Sequence, residues 1–197
     1  MESTLERIDR IAFVHLLEKG YEGTNMRTIS GEIGIKASSL YFYYKSKKDM
    51  FLAIYDQILK DLLSSLNNII ESNHELAPIE QLFFVFQNGI NSCLSNYAAH
   101  KFILRYQVFA PDEIALEARE IYKAYHAKEL EVMTPILERS FAQNGTNSGS
   151  DMGLLHNKFR QLQSNMIYEM ILTGIAMKED DILQEWNNFM AYCFKEK

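Results

Sequence analysis

Residues 38–48 read SSLYFYYKSKK. Four consecutive rings, Tyr41 to Tyr44, run directly into Lys45, Lys47 and Lys48. A buried segment should not end in a lysine cluster, and a solvated loop should not carry four rings. Written on a helix, Leu40 and Tyr44 share one face, which points to a core, while Tyr41, Phe42 and Tyr43 spread around the rest of the turn. The segment therefore offers rings and cations to one outside surface.

Working outward, the pattern predicts a short helix over 37–43 and another over about 26–33, joined by Gly34-Ile35-Lys36-Ala37. Thr24 or Asn25 caps the earlier one, and Gly34 ends it. Lys36 has no capping oxygen. Ser46 caps a long helix that carries Phe51, Ile54, Ile58, Leu62 and Ile69 at helical spacing. On the amino-terminal side Leu5, Ile8, Ala12 and Leu16 form an apolar stripe, and Gly20 is expected to stop that helix. Two short helices around a glycine-containing turn make a helix-turn-helix, whose second helix enters the major groove of DNA. Tyrosines there supply a ring for sugar or a thymine methyl and a hydroxyl for phosphate. Charge points the same way. The chain carries −6 overall, yet Thr24 to Lys48 holds five basic residues against one acid, a balance of +4. From Phe51 onward the balance is −7, the pattern of a small anion-binding head on an acidic body.

Residues 20–51 resemble the N-terminal domain of the TetR/AcrR family of transcriptional regulators. The resemblance rests on Gly20-Tyr21, Thr24, Arg27, Ile29, Gly34, Leu40-Tyr41, Tyr43, Lys45-Ser46-Lys47 and the preceding helix, about residues 5–51 in all. It implies a homodimeric, cytoplasmic repressor that binds double-stranded operator DNA and is released by a small-molecule effector. By position it implies that Arg27, Lys36, Ala37, Ser38, Ser39, Tyr41, Phe42 and Tyr43 face DNA, and that Thr24, Thr28, Tyr43 and Lys47 serve phosphates. Lys36, Ser38, Phe42 and Tyr44 depart from residues common in the family, so base preference there is open. The expected division is a DNA-binding domain over 1–48 and an effector-binding and dimerisation domain over 49–197.

The rest of the chain reads as helix throughout, which makes the expected class all-α. Glycine (9) and proline (3) are scarce, and no run reaches the roughly 18 apolar residues of a membrane span. Expected helices cover 78–96, 101–109, 112–142 with Pro135 inside, 154–177 and 180–194; residues 143–153 form the one linker-like stretch. Cys93 and Cys193 sit in apolar helical patterns and suit a reducing cytoplasm. The helix over 112–142 places Glu129 on a stripe with Tyr122, Tyr125 and Met133; the helix over 154–177 places Glu169 beside Met166 and Met170. A carboxylate on an apolar stripe needs either an arginine (Arg105, Arg119 or Arg160) or a backbone partner, or it belongs to a ligand pocket. Phe83, Phe86, Phe102 and Tyr106 complete a lining that suits an adaptable apolar pocket as well as an ordinary core. A second apolar row, Ile167, Ile171 and Ile175, joined by Trp186, Phe189 and Met190, suits the same helix of a second chain. Nucleophile elbow, phosphate loop and metal-ligand spacing are all missing from the sequence, so no enzyme, metal or cofactor is expected. A helical adaptor would account for the body but not for the basic head.

Overall fold

A computed structural model describes residues 2–142 and 152–193, and every regular element among them is a helix. In chain order these are α1 (Thr4–Gly23), α2 (Met26–Ile33), α3 (Ala37–Tyr43), α4 (Lys47–Ser72), α5 (Pro78–Ser95), α6 (Tyr97–Val108), α7 (Asp112–Ala142), α8 (Met152–Thr173) and α9 (Glu179–Cys193). Most of the expected linker, 143–151, lies outside the described residues. Three boundaries differ from expectation by more than two residues. α6 begins at Tyr97, four residues early. α8 stops at Thr173, because Gly174 turns left-handed at φ 70°. α1 does not end at Gly20: that residue sits at φ 74°, ψ 176°, and one more turn follows to Gly23. None of the described helices is long and apolar enough to cross a membrane.

The helices form two compact units. The first holds residues through Lys60 together with Lys101–Lys123. Side-chain caps start α1, α2 and α4. Ser3 and Glu6 form a reciprocal capping box on α1. The Asn25 side chain accepts from the Arg27 N–H to start α2, and Ser46 Oγ accepts from the Asp49 N–H at 3.0 Å to start α4. Its core joins Ile8, Ala12 and Leu16 of α1, Ile29 and Ile33 of α2, Leu40 of α3, and Met50, Phe51 and Tyr55 of α4, with Phe102 and Tyr106 of α6. Phe51 lies 4.6 Å, centroid to centroid, from Tyr106, which in turn lies 4.8 Å from Phe102.

The second unit holds Asp61–His100 and the chain from Ala124 on. Its core is built by α5, the later part of α7, α8 and α9, with Phe86 and Trp186 5.6 Å apart and Trp186 and Phe189 5.7 Å apart. Leu66, Ile69 and Ile70 of α4 pack against it.

Gly20 supplies a direct test of this architecture. A Cβ there would lie 2.5 Å from the Arg105 guanidinium, in a backbone conformation reserved for glycine. Gly20→Ala is expected to destabilise the protein by about 1–3 kcal/mol. Gly31→Ala, inside α2 with open space around it, should be neutral or stabilising by up to about 1 kcal/mol. Denaturant unfolding of the two variants checks both.

Candidate functional site

α3 buries a single residue, Leu40. Lys36, Ser38, Ser39, Tyr41, Phe42 and Tyr43 are exposed, and Phe42 retains 85% of its accessible surface. With Tyr41 and Tyr43, the latter 5.6 Å away ring to ring, it makes a run of exposed rings, and a contiguous apolar patch of this kind marks an interaction surface. Lys36 makes no side-chain cap, as its chemistry dictates. Arg27 and Thr28 of α2 are exposed beside α3, and Ala37 is half-buried.

A set of long-range polar contacts fixes the tilt of this surface. Arg7 Nη2 donates to the Ile33 carbonyl at 2.9 Å, satisfying the end of α2. His15 Nε2 lies 2.9 Å from Glu32 Oε1. The Tyr44 hydroxyl donates to Asp9 Oδ1 at 2.6 Å; burial raises both their pKa values, keeping the phenol protonated. Lys47 Nζ donates to the Tyr21 carbonyl at 2.9 Å and stands 4.1 Å from the Tyr21 ring centre. The half-buried Lys47 thus binds its own head. Thr24 departs from the sequence expectation. It is 3% exposed, and its hydroxyl donates to the Gly20 carbonyl at 2.7 Å. That bond braces the chain beyond the Gly20 break and takes the hydroxyl proton a phosphate would need.

The residues expected to line one ligand pocket divide between the two units. Phe102, Tyr106 and Tyr122 belong to the first, whereas Phe83, Phe86, Tyr125, Glu129, Met133, Met166, Glu169 and Met170 belong to the second. Phe86, Met133, Met166 and Met170 are core. Glu169 is exposed rather than buried; it borders an open groove of about 430 Å³ between α8 and α9 that Met166, Asp181 and Glu185 also line. Glu129 is 9% exposed, and its partner among the arginines anticipated from sequence is Arg160, whose Nε lies 2.8 Å from Oε2. His126 Nδ1 and His156 Nε2 lie 3.6 and 4.0 Å from the same oxygen. Burial raises the Glu129 pKa, opposed by Arg160. Burial, with Arg160 adding to it, pushes both histidines down to about 4.

The expected dimer residues also divide. Ile167, Trp186 and Phe189 are buried in the core of their own chain, and Ile171 and Met190 pack against it. Ile175 lies past the end of α8 and is 69% exposed, with Leu172 at 77% and Leu183 at 47%. A helical apolar stripe looks the same in sequence whether it meets its own core or a second chain. From sequence Arg105 and Arg119 were expected only as partners for Glu129 or Glu169, yet Arg105 anchors α1 through the Leu17 carbonyl and Arg119 lines a cavity with Ala115, Ala118 and Tyr122. The small residues three apart on α7, followed by an arginine and a tyrosine, were the available signal.

Comparison with known proteins follows this geometry. Residues 12–54 match the family model described as bacterial regulatory proteins, tetR family. The biofilm operon icaADBC HTH-type negative transcriptional regulator IcaR of Staphylococcus aureus (strain Newman) is 39% identical over 74 residues, covering 35% of this chain and 38% of that protein. The chain thus spans little more than a third of the length of that relative. The fold is similar to that of the transcriptional regulator FadR from Bacillus subtilis in complex with stearoyl-CoA, with a TM-score of 0.70 at 16% identity over 98% of this chain and 100% of that one. It is also similar to a transcriptional regulator of the TetR/AcrR family from Thermobifida fusca, with a TM-score of 0.67 at 19% identity over 96% and 97% of the two chains. A protein of Saccharomonospora viridis in complex with choline shares the fold at a TM-score of 0.69 and 16% identity, over 97% of each chain.

The Glu129 cluster generates a pH prediction. Between pH 6.5 and about 4 the unfolded chain takes up protons at His126 and His156 that the folded chain refuses. Stability present above pH 6.5 is therefore lost as pH falls toward 4. Glu129, with its pKa raised by burial, works in the opposite direction. Thermal unfolding is expected at a lower temperature at pH 5 than at pH 7, and His156→Gln should shrink the difference.

Proposed function

We propose that this chain, whose residues 12–54 are the helix-turn-helix domain of the tetR family, is a transcriptional regulator that binds double-stranded operator DNA as a homodimer. The observation that carries the reading is α3: a helix with one buried residue and an outward face of serines, rings and flanking cations. The DNA-reading domain is 1–48, and the helical remainder, 49–197, binds the effector and the second subunit. Arg27, Ala37, Ser38, Ser39, Tyr41 and Phe42 meet base edges and sugar. Thr28, Tyr43, Lys36 and Lys47 meet phosphates, in the cytoplasm where the DNA lies.

Repression is the mode supported by the name of the IcaR relative, a negative regulator. A small-molecule effector is supported by the neighbours in complex with stearoyl-CoA and with choline. Those ligands are opposite in charge, so the effector's class does not carry over. Dimerisation through α8, α9 and the segment between them is supported by the exposed Leu172, Ile175 and Leu183. Two heads on a two-fold axis would read half-sites one or more helical turns apart, roughly 34–36 Å per turn.

Binding to selected genomic fragments, measured against salt, tests the docking. Lys47→Ala should weaken all sequences alike and lower the salt slope by about 1. Because Lys47 also holds the Tyr21 carbonyl, thermal unfolding of the variant separates the lost phosphate from a loosened head. Ser39→Ala and Tyr41→Ala should instead change sequence preference by about 1–3 kcal/mol at single positions. An unchanged slope for a folded Lys47→Ala rejects this docking. Sedimentation addresses the second subunit: the wild type should be a dimer at micromolar concentration, and Leu172→Glu a monomer that loses operator binding with it.

A further inference from the structure

The first compact unit contains a cavity of about 220 Å³. Tyr55 of α4 and Tyr106 near the end of α6 form part of its wall, and α7 contributes Ala115, Ala118, Arg119 and Tyr122. The alanines leave space where larger side chains would fill it; Tyr55 and Tyr106, 1% and 3% exposed, close its floor from the core, and the half-buried Tyr122 is the ring with accessible surface. No carboxylate lines it. The nearby acids of α7 are engaged elsewhere: Glu113 Oε1 accepts from the Tyr21 hydroxyl and Glu117 Oε1 from Lys48 Nζ, both at 2.6 Å. Arg119 has neither an ion pair nor a hydrogen bond among the described residues. The exposed Arg119 guanidinium thus stands at the rim of the hollow, beside Tyr122.

Size and chemistry select an occupant. The volume falls below the roughly 300–1,000 Å³ of drug-sized sites, which leaves room for one ring and a small head group. The Tyr122 ring can stack on or pack edge-to-face with an aromatic ligand. The planar guanidinium matches a carboxylate through two parallel hydrogen bonds. We infer that this cavity binds a single-ring aromatic carboxylate and that its occupation loosens the DNA-binding head. The inference rests on the regulatory reading above and adds the effector's class and its place.

The coupling is built into the cavity wall. The Tyr106 hydroxyl donates to the Leu16 carbonyl, and its neighbour Arg105 donates through Nη1 to the Leu17 carbonyl, both at 3.0 Å. These carbonyls end the first segment of α1, just before the Gly20 break. On the α7 side, Glu113 and Glu117 hold Tyr21 and Lys48, at the end of α1 and the start of α4. An occupant that spreads α6 from α7 therefore moves both attachments of the helix-turn-helix together. A ligand that favours the spread state must weaken DNA binding, and DNA must weaken the ligand by the same factor.

Titration calorimetry on the full chain tests the site without DNA. Benzoate is the probe, with benzyl alcohol as the neutral comparator and benzylamine as the cation. Benzoate is expected to bind once per chain, and benzylamine not at all. Arg119→Gln, at an exposed position, should weaken benzoate tenfold or more while keeping the wild-type unfolding temperature. Ala115→Leu should abolish benzoate binding by filling the space with the charge intact. Saturating benzoate should then weaken a selected DNA fragment by roughly 5–150-fold. Absence of benzoate binding, equal binding by Arg119→Gln, or preference for benzylamine overturns the site. Benzoate binding that leaves DNA affinity unchanged overturns the coupling. A chain that binds DNA but ignores benzoate defeats this inference alone, whereas a chain that binds no DNA fragment defeats the regulatory reading whatever calorimetry finds.

Discussion

The head of this protein is organised around Tyr21. The residue is 1% exposed and every polar part of it is engaged. Its hydroxyl donates to Glu113, its carbonyl accepts from Lys47 and from the Thr24 N–H, and its ring packs edge-on to Phe51 at 5.7 Å while Lys47 stands over it. Tyr21 reaches this position because Gly20 breaks α1 at a positive φ and lets one further turn change direction. Remove that break and the end of α1, the start of α4 and the first turn of α7 lose their common point. α3 contributes only Leu40 to the core, so its presentation depends on these neighbours rather than on its own packing.

That dependence explains how a seven-residue helix is held with its outer face exposed. Isolated helices of this length are unstable in water. Tertiary anchors stabilise it from both ends: Arg7 on the last carbonyl of α2, and Tyr44 on Asp9 just after α3. The outward residues are thereby relieved of any structural duty and can be chosen for contact. In the second unit the buried Glu129 pairs with the half-buried Arg160, and His126 and His156 stand beside the pair. A buried pair of this kind contributes little net stability; its effect is to tie α7 to α8 in one register.

Much of this was legible in sequence, for physical reasons that differ by element. The bounds of α2, α3 and α7 follow from local punctuation. Asn25 and Gly34 frame α2, and Tyr44 begins an extended turn capped by Ser46. Leu40 stood out as the inward residue of α3 because its neighbours were rings and serines beside lysines. Partner choice was not legible. Periodicity tells that Phe102 and Phe86 face something apolar, but not that they face different cores. Trp186 and Phe189 look identical whether they meet their own chain or a second one. Glu169 shares a stripe with Met166 and Met170, yet it sits at the stripe's edge, in water. Thr24 shows the same limit: a threonine before α2 reads as a cap or a phosphate contact, and only the fold brings the Gly20 carbonyl to its hydroxyl.

The central claim is that the outer face of α3 is the surface that meets DNA. Oxidative footprinting of the full chain, with and without a DNA fragment selected for tight binding, addresses it most directly. The account predicts that Tyr41, Phe42 and Tyr43, exposed at 47%, 85% and 40%, lose most of their reactivity toward hydroxyl radical in the complex. Tyr192, 51% exposed at the far end of α9, should keep its own. Bound DNA that leaves Phe42 as reactive as in the unbound chain would contradict the account.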